Sequence, residues 1–409
     1  MNSMTYLFTP FKYRDYRLAW IGFFISQIGS EMMMVAVNWQ IYLMTGSPFS
    51  LGIIGAARFL PMLFLSLFAG LVADMVNRKK LIFTAQLVLI FSSVCLTYLT
   101  FTHQLRPVVI YLLIALNSGA LAFASPARQS LLPHLVPRKH FMQAVSLNSL
   151  MWQTAVILGP TISGFLIAFL GVEYIYLISI FAFISVNISM ILMRALPLQA
   201  EKAQFSLRSI REGIGFVKRT PILWSSMLLD FFATFFASSM TLMPIFAKDI
   251  LKVGPQGLGF LYAAPSVGGV LAGLIFSFFH RVGRQGKILL VSVCVYGVAT
   301  IIFGFSQIYI LSLLCLVIAG AGDMVSSVIR NTIRHMITPD HIRGRMVSIN
   351  MIFYLGGPQL GEVEAGVAAT LLGTPWSVVL GGVGTIAITL IMAKTVPSLL
   401  NYNNHNEME

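Results

Sequence analysis

Charged side chains are scarce in this sequence: Asp, Glu, Lys and Arg make up only 10% of 409 residues, against roughly 25% in a soluble globular domain. With 57% hydrophobic residues, such a chain cannot cover itself with a polar surface in water. Cysteine is nearly absent too. Cys95, Cys294 and Cys315 each fall inside an apolar stretch without paired spacing, which excludes a disulfide framework and reads as small apolar filler. A phosphate loop of the form Gly-x4-Gly-Lys-Ser/Thr is missing; Gly286-Lys287-Ile288 lacks both the first glycine and the hydroxyl, so direct use of ATP is not expected. Gly257-Leu258-Gly259 and Gly381-Gly382-Val383-Gly384 lie in or beside apolar runs, where small residues let helices approach. There is no His-Glu-x-x-His element and no spaced Cys/His set among the seven histidines. No metal, cofactor or enzymatic activity is therefore expected. Nor does the N-terminus carry a short apolar region ending in a small-residue cleavage site, so the first apolar run is expected to be retained.

What is present is apolar length. Runs of about 20 residues, each enough to cross a ~30 Å hydrocarbon core as a helix, follow one another with short polar breaks. They predict an all-α membrane protein with twelve spans, at 18–44, 49–73, 80–100, 107–126, 141–170, 172–194, 221–247, 255–280, 286–306, 308–334, 345–372 and 375–397. The chain also repeats itself. Arg128, Pro137, Val145, Ser146, Asn148, Gly159 and Gly164 recur 202 positions later as Arg330, Pro339, Val347, Ser348, Asn350, Gly361 and Gly366. Two homologous six-helix bundles follow, 1–194 and 221–409, joined by a linker over 195–220. Within the repeat, Gly159-Pro160-Thr161-Ile162-Ser163-Gly164 faces Gly361-Glu362-Val363-Glu364-Ala365-Gly366. A proline of the first half has become an acid, with a second acid two residues on, and specialised chemistry is expected there.

The net charge of +13 is spread along the membrane rather than gathered in a patch. Of 27 Lys and Arg residues, 23 fall on the side that holds both termini, while Arg106, Lys248 and Lys252 lie opposite and Arg58 lies within a span. That asymmetry places both termini in the cytoplasm and argues against nucleic acid as a partner. In the linker, Phe205, Leu207, Ile210, Ile214 and Val217 approximate one helical face among basic residues, as in a helix lying on an anionic bilayer surface.

Twelve spans in two halves, with Gly70-Leu71-Val72-Ala73-Asp74-Met75-Val76-Asn77-Arg78-Lys79-Lys80 between the second and third, resemble the major facilitator superfamily over essentially the whole chain. That stretch is similar to the family's motif A, which implies a conformational latch of Gly70, Asp74, Arg78 and Arg128, the acid capping a neighbouring helix. Its second-half counterpart, Ala272-Gly273-Leu274 through His280-Arg281-Val282-Gly283-Arg284, keeps the glycine and lacks the acid. Gly159, Pro160 and Gly164 resemble the antiporter-associated motif C, with Ser163 in place of one customary glycine. Pro126-Ala127-Arg128-Gln129, Arg343-Gly344-Arg345 and Leu360-Gly361-Glu362-Val363-Glu364-Ala365-Gly366 resemble the branch that holds enterobactin exporters and drug:proton antiporters. The resemblance implies a central cavity lined by spans one, four, seven and ten, and a monomer.

An ionised side chain at mid-bilayer costs roughly 2.5–3.5 kcal/mol on insertion scales, so each one asks for a partner or a task. Six qualify: Glu31, Arg58, Asp230, Asp323, Glu362 and Glu364. Glu31 reads either as an ion pair with Arg58 or as a proton carrier that Arg58 tunes; Arg58 is alternatively a bidentate anion site. Asp323 has no basic neighbour close by in its own span and is a carrier candidate. Glu362 and Glu364 stand about 200° apart around a helix, so they hold different posts, as carrier or as hydrogen-bonded packing acids. Asp230, nearer the cytoplasmic end of its span, has a solvated face as its alternative. Asn117, Trp152 and Gln153 are candidates for contact with a bulky substrate.

The expectation is a proton-coupled transporter of the bacterial inner membrane that exports a siderophore or drug-like molecule, its partners being that substrate, protons and the bilayer. A symporter importing a siderophore or nutrient, and a non-transporting sensor on the same fold, are the alternatives. If the latch reading is right, Asp74→Asn slows conformational exchange, followed by distance-reporting labels, and leaves substrate affinity unchanged; lost affinity with intact exchange contradicts it.

Overall fold

The computed structural model describes residues 8–194, 215–278 and 283–403. Among them regular structure is helical throughout, in twelve long elements: α1 (Arg14–Thr45), α2 (Pro48–Met75), α3 (Arg78–Phe101), α4 (Pro107–Leu135), α5 (Phe141–Phe169), α6 (Val172–Leu192), α7 (Pro221–Phe236), α8 (Gly254–Ser277), α9 (Gln285–Phe305), α10 (Tyr309–Ile337), α11 (Asp340–Leu372) and α12 (Thr374–Thr395). By length and composition, eleven described helical stretches suffice to cross a membrane; α11, which carries Glu362 and Glu364, is the one of the twelve long elements outside that set. Most of the linker face, Phe205 to Ile214, lies outside the described residues, as do His280, Arg281 and Val282. Val217 is buried and packs with Met227 and Met346.

Element ends follow local chemistry. α1 stops at Gly46, whose φ of 60° is left-handed and whose N–H donates to the Tyr42 carbonyl, as helix C-termini commonly do. α3 starts at Asn77, whose side chain accepts from the backbone N–H of Lys79 at 2.9 Å and of Lys80 at 3.4 Å, satisfying two of the orphan donors of a helix start. Gly171 and Gly373, again 202 apart, carry φ values of 108° and 88° before α6 and α12. Only glycine adopts such backbone freely, so the repeat extends to its turns.

The described residues fall into two compact units. One holds Met1–Gly46, Ala57–Gln204 and Gly254–Ala263; the other holds Ser47–Ala56, Phe205–Val253 and Ala264–Glu409. In the first, α1 packs on α5 and α6, and α3 on α4 and α6. In the second, α7 packs on α11 and α12, and α9 on α10 and α12, the same wiring six helices later. A division at 194 and 221 therefore differs from the compact units by two short exchanges, 47–56 and 254–263. Glycine causes both. Gly164 of α5 lies directly against the backbone of Gly259, and its repeat mate Gly366 of α11 lies directly against that of Gly52; no side chain separates the helices there.

The seventh span is not the continuous helix expected over 221–247. α7 ends at Phe236, and the chain continues as a 3-10 turn (Met240–Leu242), a short α-turn (Met243–Ile245) and a π-turn (Phe246–Ile250). Pro244 has no N–H to extend a helical ladder. The broken backbone is tied by side chains instead: Ser238 Oγ donates to the Pro358 carbonyl at 3.0 Å and Thr241 Oγ1 to that of Leu51 at 3.2 Å.

Internal contacts also reveal a second register in the repeat. In the first unit Gly29 meets Ala182 and its carbonyl accepts from Ser179 Oγ at 3.1 Å. In the second, Phe236 meets Gly384 and Gly381. α6 and α12 match at 202, whereas Gly29 and Phe236, the equivalent positions of α1 and α7, are 207 apart. A comparison at one fixed offset aligns the later helices of each half and misses the first.

Close helix contact yields a paired test. A methyl at Gly268 of α8 would run into the Val317 carbonyl of α10, while one at Gly269 would make ordinary contacts at 3.7 Å. Helix propensity favours Ala over Gly by about 1 kcal/mol, and overpacking costs about 1–3 kcal/mol. Gly268→Ala is expected to lower the melting temperature of the purified protein, whereas Gly269→Ala leaves it unchanged or raises it.

Candidate functional site

In the first unit the site is built around Glu31 of α1. Its Oε1 accepts from Gln27 Nε2, one turn earlier, at 2.9 Å, and Arg58 of α2 lies within electrostatic reach. Gly159 of α5 sits against the Glu31 Cβ; any side chain there would push the acid off its helix-to-helix seat. Ser163, the departure from motif C, donates to the Met32 carbonyl at 3.1 Å and so secures the same contact of α5 with α1. Pro160 is buried on α5, and Gly164 makes the backbone contact already described. The stretch Gly159 to Gly164 is thus the surface on which Glu31 rests.

In the second unit α7 and α10 carry an ion cluster. Asp230 is 4% exposed, with Oδ1 3.0 Å from Arg330 Nη2 and Oδ2 3.1 Å from Arg334 Nη2. Arg334 also donates to the Ser226 carbonyl at 2.9 Å, to Ser226 Oγ at 3.3 Å and to Asn331 Oδ1 at 3.4 Å. Ser226 and Asp230 are four residues apart on α7 and so share a face; Arg334 bridges both. Arg330, 2% exposed, has a second acid at 3.5 Å, Asp323, whose side chain is 45% exposed. Arg330 Nε has no partner among the described residues. Ionised, the four side chains carry no net charge.

Two sequence expectations are corrected by this cluster. Asp323 does have a basic partner in its own span: Arg330 lies seven residues on, two helical turns and hence the same face. Asp230 is not on a solvated face; both its oxygens are taken by buried guanidiniums. Sequence does not single out Arg330 and Arg334, because basic residues near the end of an apolar run ordinarily belong to the aqueous flank. The Arg128–Arg330 coincidence was the available signal. Arg128 of α4 stands 4.2 Å above the Phe23 ring of α1, a cation–π arrangement. By the 207 register, Phe23 is the counterpart of Asp230 and Glu31 that of Ser238. The repeat has kept the arginine and exchanged its partner, an aromatic face in one unit for a carboxylate in the other.

The remaining candidates are dispersed. Glu362 is buried at 7% exposure, its side chain against Gly55, while Glu364 is only partly buried. Asn117 is buried on α4 with its Oδ1 unpartnered among the described residues. Trp152 is 49% exposed and Gln153 partly buried. Of the residues expected to form a latch, Arg78 donates from Nη1 to the Ser130 carbonyl at 3.2 Å and lies 3.4 Å from His134 Nε2. It therefore grips the end of α4, while Arg128 turns to α1. Of Gly70 and Asp74 the structure describes the helical backbone alone.

Breaking a buried ion pair from one side strands a charge and costs about 3–5 kcal/mol. Asp230→Ala, which strands two guanidiniums, is expected to lower thermal stability far more than Asp323→Asn, which removes a half-exposed carboxylate. Equal losses by thermal denaturation in detergent would contradict the division of labour.

With the geometry in place, comparison with known proteins identifies the fold and the family. The described fold matches solved transporters: the nucleoside transporter NupG, with a TM-score of 0.73 at 12% identity over 95% of this chain and 100% of that one; a bacterial homologue of the lysosomal transporter Spinster, inward-facing, with a TM-score of 0.73 at 14% identity over 96% and 97%; and the xylose transporter XylE of Escherichia coli, with a TM-score of 0.70 at 15% identity over 93% and 95%. Among curated proteins, the enterobactin exporter EntS of Escherichia coli K12 is 26% identical over 393 residues, 95% of this chain and 93% of that protein. EntS of Shigella boydii matches to the same extent. The family model described as transmembrane secretion effector matches residues 5–407. The chain is a multi-pass membrane transporter of the major facilitator superfamily, and it belongs to the transmembrane secretion effector family.

Proposed function

We propose that the protein exports a small organic molecule of the siderophore or drug-like class across a bacterial inner membrane, with protons moving the opposite way by alternating access. The observation that carries this reading is the division of acids in α7 and α10. Asp230 is locked between two arginines, and Asp323 shares one of them while remaining 45% exposed. A carboxylate that is accessible yet only loosely held can exchange its counter-ion for a proton; a carboxylate with both oxygens bound cannot do so without stranding charge. Glu31, seated on the antiporter-like element of the other unit, is the second carrier candidate. The sequence likeness to enterobactin exporters over 95% of the chain supports export and a siderophore-class cargo. Charge asymmetry in the loops supports cytoplasmic termini, and the family default supports a monomer.

The test is transport in inside-out vesicles with a radiolabelled catecholate siderophore and a panel of lipophilic cations, under an imposed proton gradient with an uncoupler control. Gradient-dependent accumulation is expected. Glu31→Gln or Asp323→Asn should abolish it while expression and folding persist. Accumulation only in right-side-out vesicles would reverse the direction, and normal export by both variants would remove these acids from the mechanism.

A further inference from the structure

We propose that the second unit carries a binding site for one anionic phospholipid, with an acyl chain lying in a hollow along α9 and the phosphate on Lys287. The proposal depends on the membrane setting alone, not on the direction of transport or its coupling.

The hollow measures about 630 Å³ and is framed by α9, α10 and α12. Val291, Val295, Val298 and Ile302 recur along α9 at helical spacing and are all exposed, so they form one apolar stripe. Ile318 of α10 and Leu390 of α12 add further exposed apolar surface. From Lys287 to Ile302 is fifteen residues, roughly 22 Å of helix. An extended acyl chain can follow that length within a ~30 Å hydrocarbon core. A chain seated in a concave apolar surface also gains dispersion contacts that a chain passing over a convex helix does not.

One end of the hollow is charged and the rest is not. Thr389 donates its hydroxyl to the Thr385 carbonyl at 2.7 Å, which leaves Lys287 as the one charged side chain in the lining. Arg284 stands just before α9, and Lys394 follows the lining residue Ala393 near the end of α12; all three basic residues are exposed. None of them has an acidic partner among the described residues, and α9 and α12 contain no Asp or Glu. A lysine so placed keeps its stem on apolar surface and its ammonium at the bilayer interface, where a lipid phosphate is its natural counter-ion. A zwitterionic head group brings its own cation and gives up that advantage.

The head-group end is firmly built. The Gly286 N–H donates to the Tyr402 carbonyl at 3.1 Å, and no side chain separates Gly286 from the Leu399 carbonyl. Leu400 of the short helix Pro397–Leu400 completes the lining there. The start of α9 and the C-terminal segment are thus joined beside Lys287. A siderophore-class cargo does not fit the same surface: it brings several hydrogen-bonding groups, and burying them against an apolar lining is costly.

The experiment uses the full chain in nanodiscs that contain phosphatidylglycerol or phosphatidylcholine of identical chains, each with a diazirine at the end of one chain. Adducts formed on irradiation are mapped by peptide mass spectrometry. Phosphatidylglycerol adducts are expected on α9 between Val291 and Ile302, several-fold above those of phosphatidylcholine. Lys287→Gln should weaken that preference by about fivefold, the effect of one basic residue on an anionic lipid, and Lys287→Arg should keep it. Val298→Trp, which fills the hollow from an exposed position, should cut the adducts without changing the melting temperature in lipid-free detergent. Equal adducts from both lipids, a preference unchanged in Lys287→Gln, or adducts absent from α9 would each overturn the proposal. Suppression of the adducts by an N-alkyl-2,3-dihydroxybenzamide would overturn it too, by assigning the hollow to cargo.

Discussion

The contact on which this molecule turns is the seating of Asp230 between Arg330 and Arg334. Three ions at 2–4% exposure are tolerated only because each finds opposite charge and hydrogen bonds that repay lost hydration. The arrangement fixes α7 to α10 along one face, since Arg334 takes Ser226 and Asp230 together. It also sets the state of the fourth member. Asp323 is left with a share of Arg330 and a half-exposed side chain.

Duplication explains how such a site can arise without a special fold. Both units have the same helix wiring, the same glycine turns at 171 and 373 and an arginine at the same place on the fourth helix of the half. What differs is what that arginine meets. In the first unit Arg128 rests on Phe23, and the acid appears two turns further along α1, as Glu31 against Gly159. In the second the acid has moved to the arginine itself, and the counterpart of Glu31 is Ser238, which instead ties down the broken end of α7 through Pro358. One half carries its acid on helix packing, the other on ion pairing.

Much of the fold was legible because a bilayer imposes length: apolar runs near 20 residues declare helices, and a fixed offset declared the duplication. The break after Phe236 was hidden because it falls inside a continuous apolar run, where hydropathy does not register the end of a helical ladder. The site was half legible. Glu31, Asp230 and Asp323 stood out as costly charges, but partners cannot be read from cost alone. Arg330 and Arg334 lie near the end of their apolar run, where basic residues ordinarily belong to the aqueous flank, and side chains of their length reach back two turns to Asp323 and across to α7. The shift to a 207 register in the first helix of each half further concealed that Phe23 and Asp230 are equivalent.

The central claim is that both arginines hold Asp230 in a fixed frame while Asp323 is the carboxylate that exchanges partners. Infrared difference spectroscopy of the full chain in lipid, stepped across pH with aspartate labelled at its carboxyl carbon, tests it most directly. The account predicts a protonated-carboxyl band that grows with acid, disappears in Asp323→Asn and is regained in shifted form in Asp323→Glu. A band that persists unchanged in Asp323→Asn, or no protonation of any labelled aspartate before the protein unfolds, would contradict it.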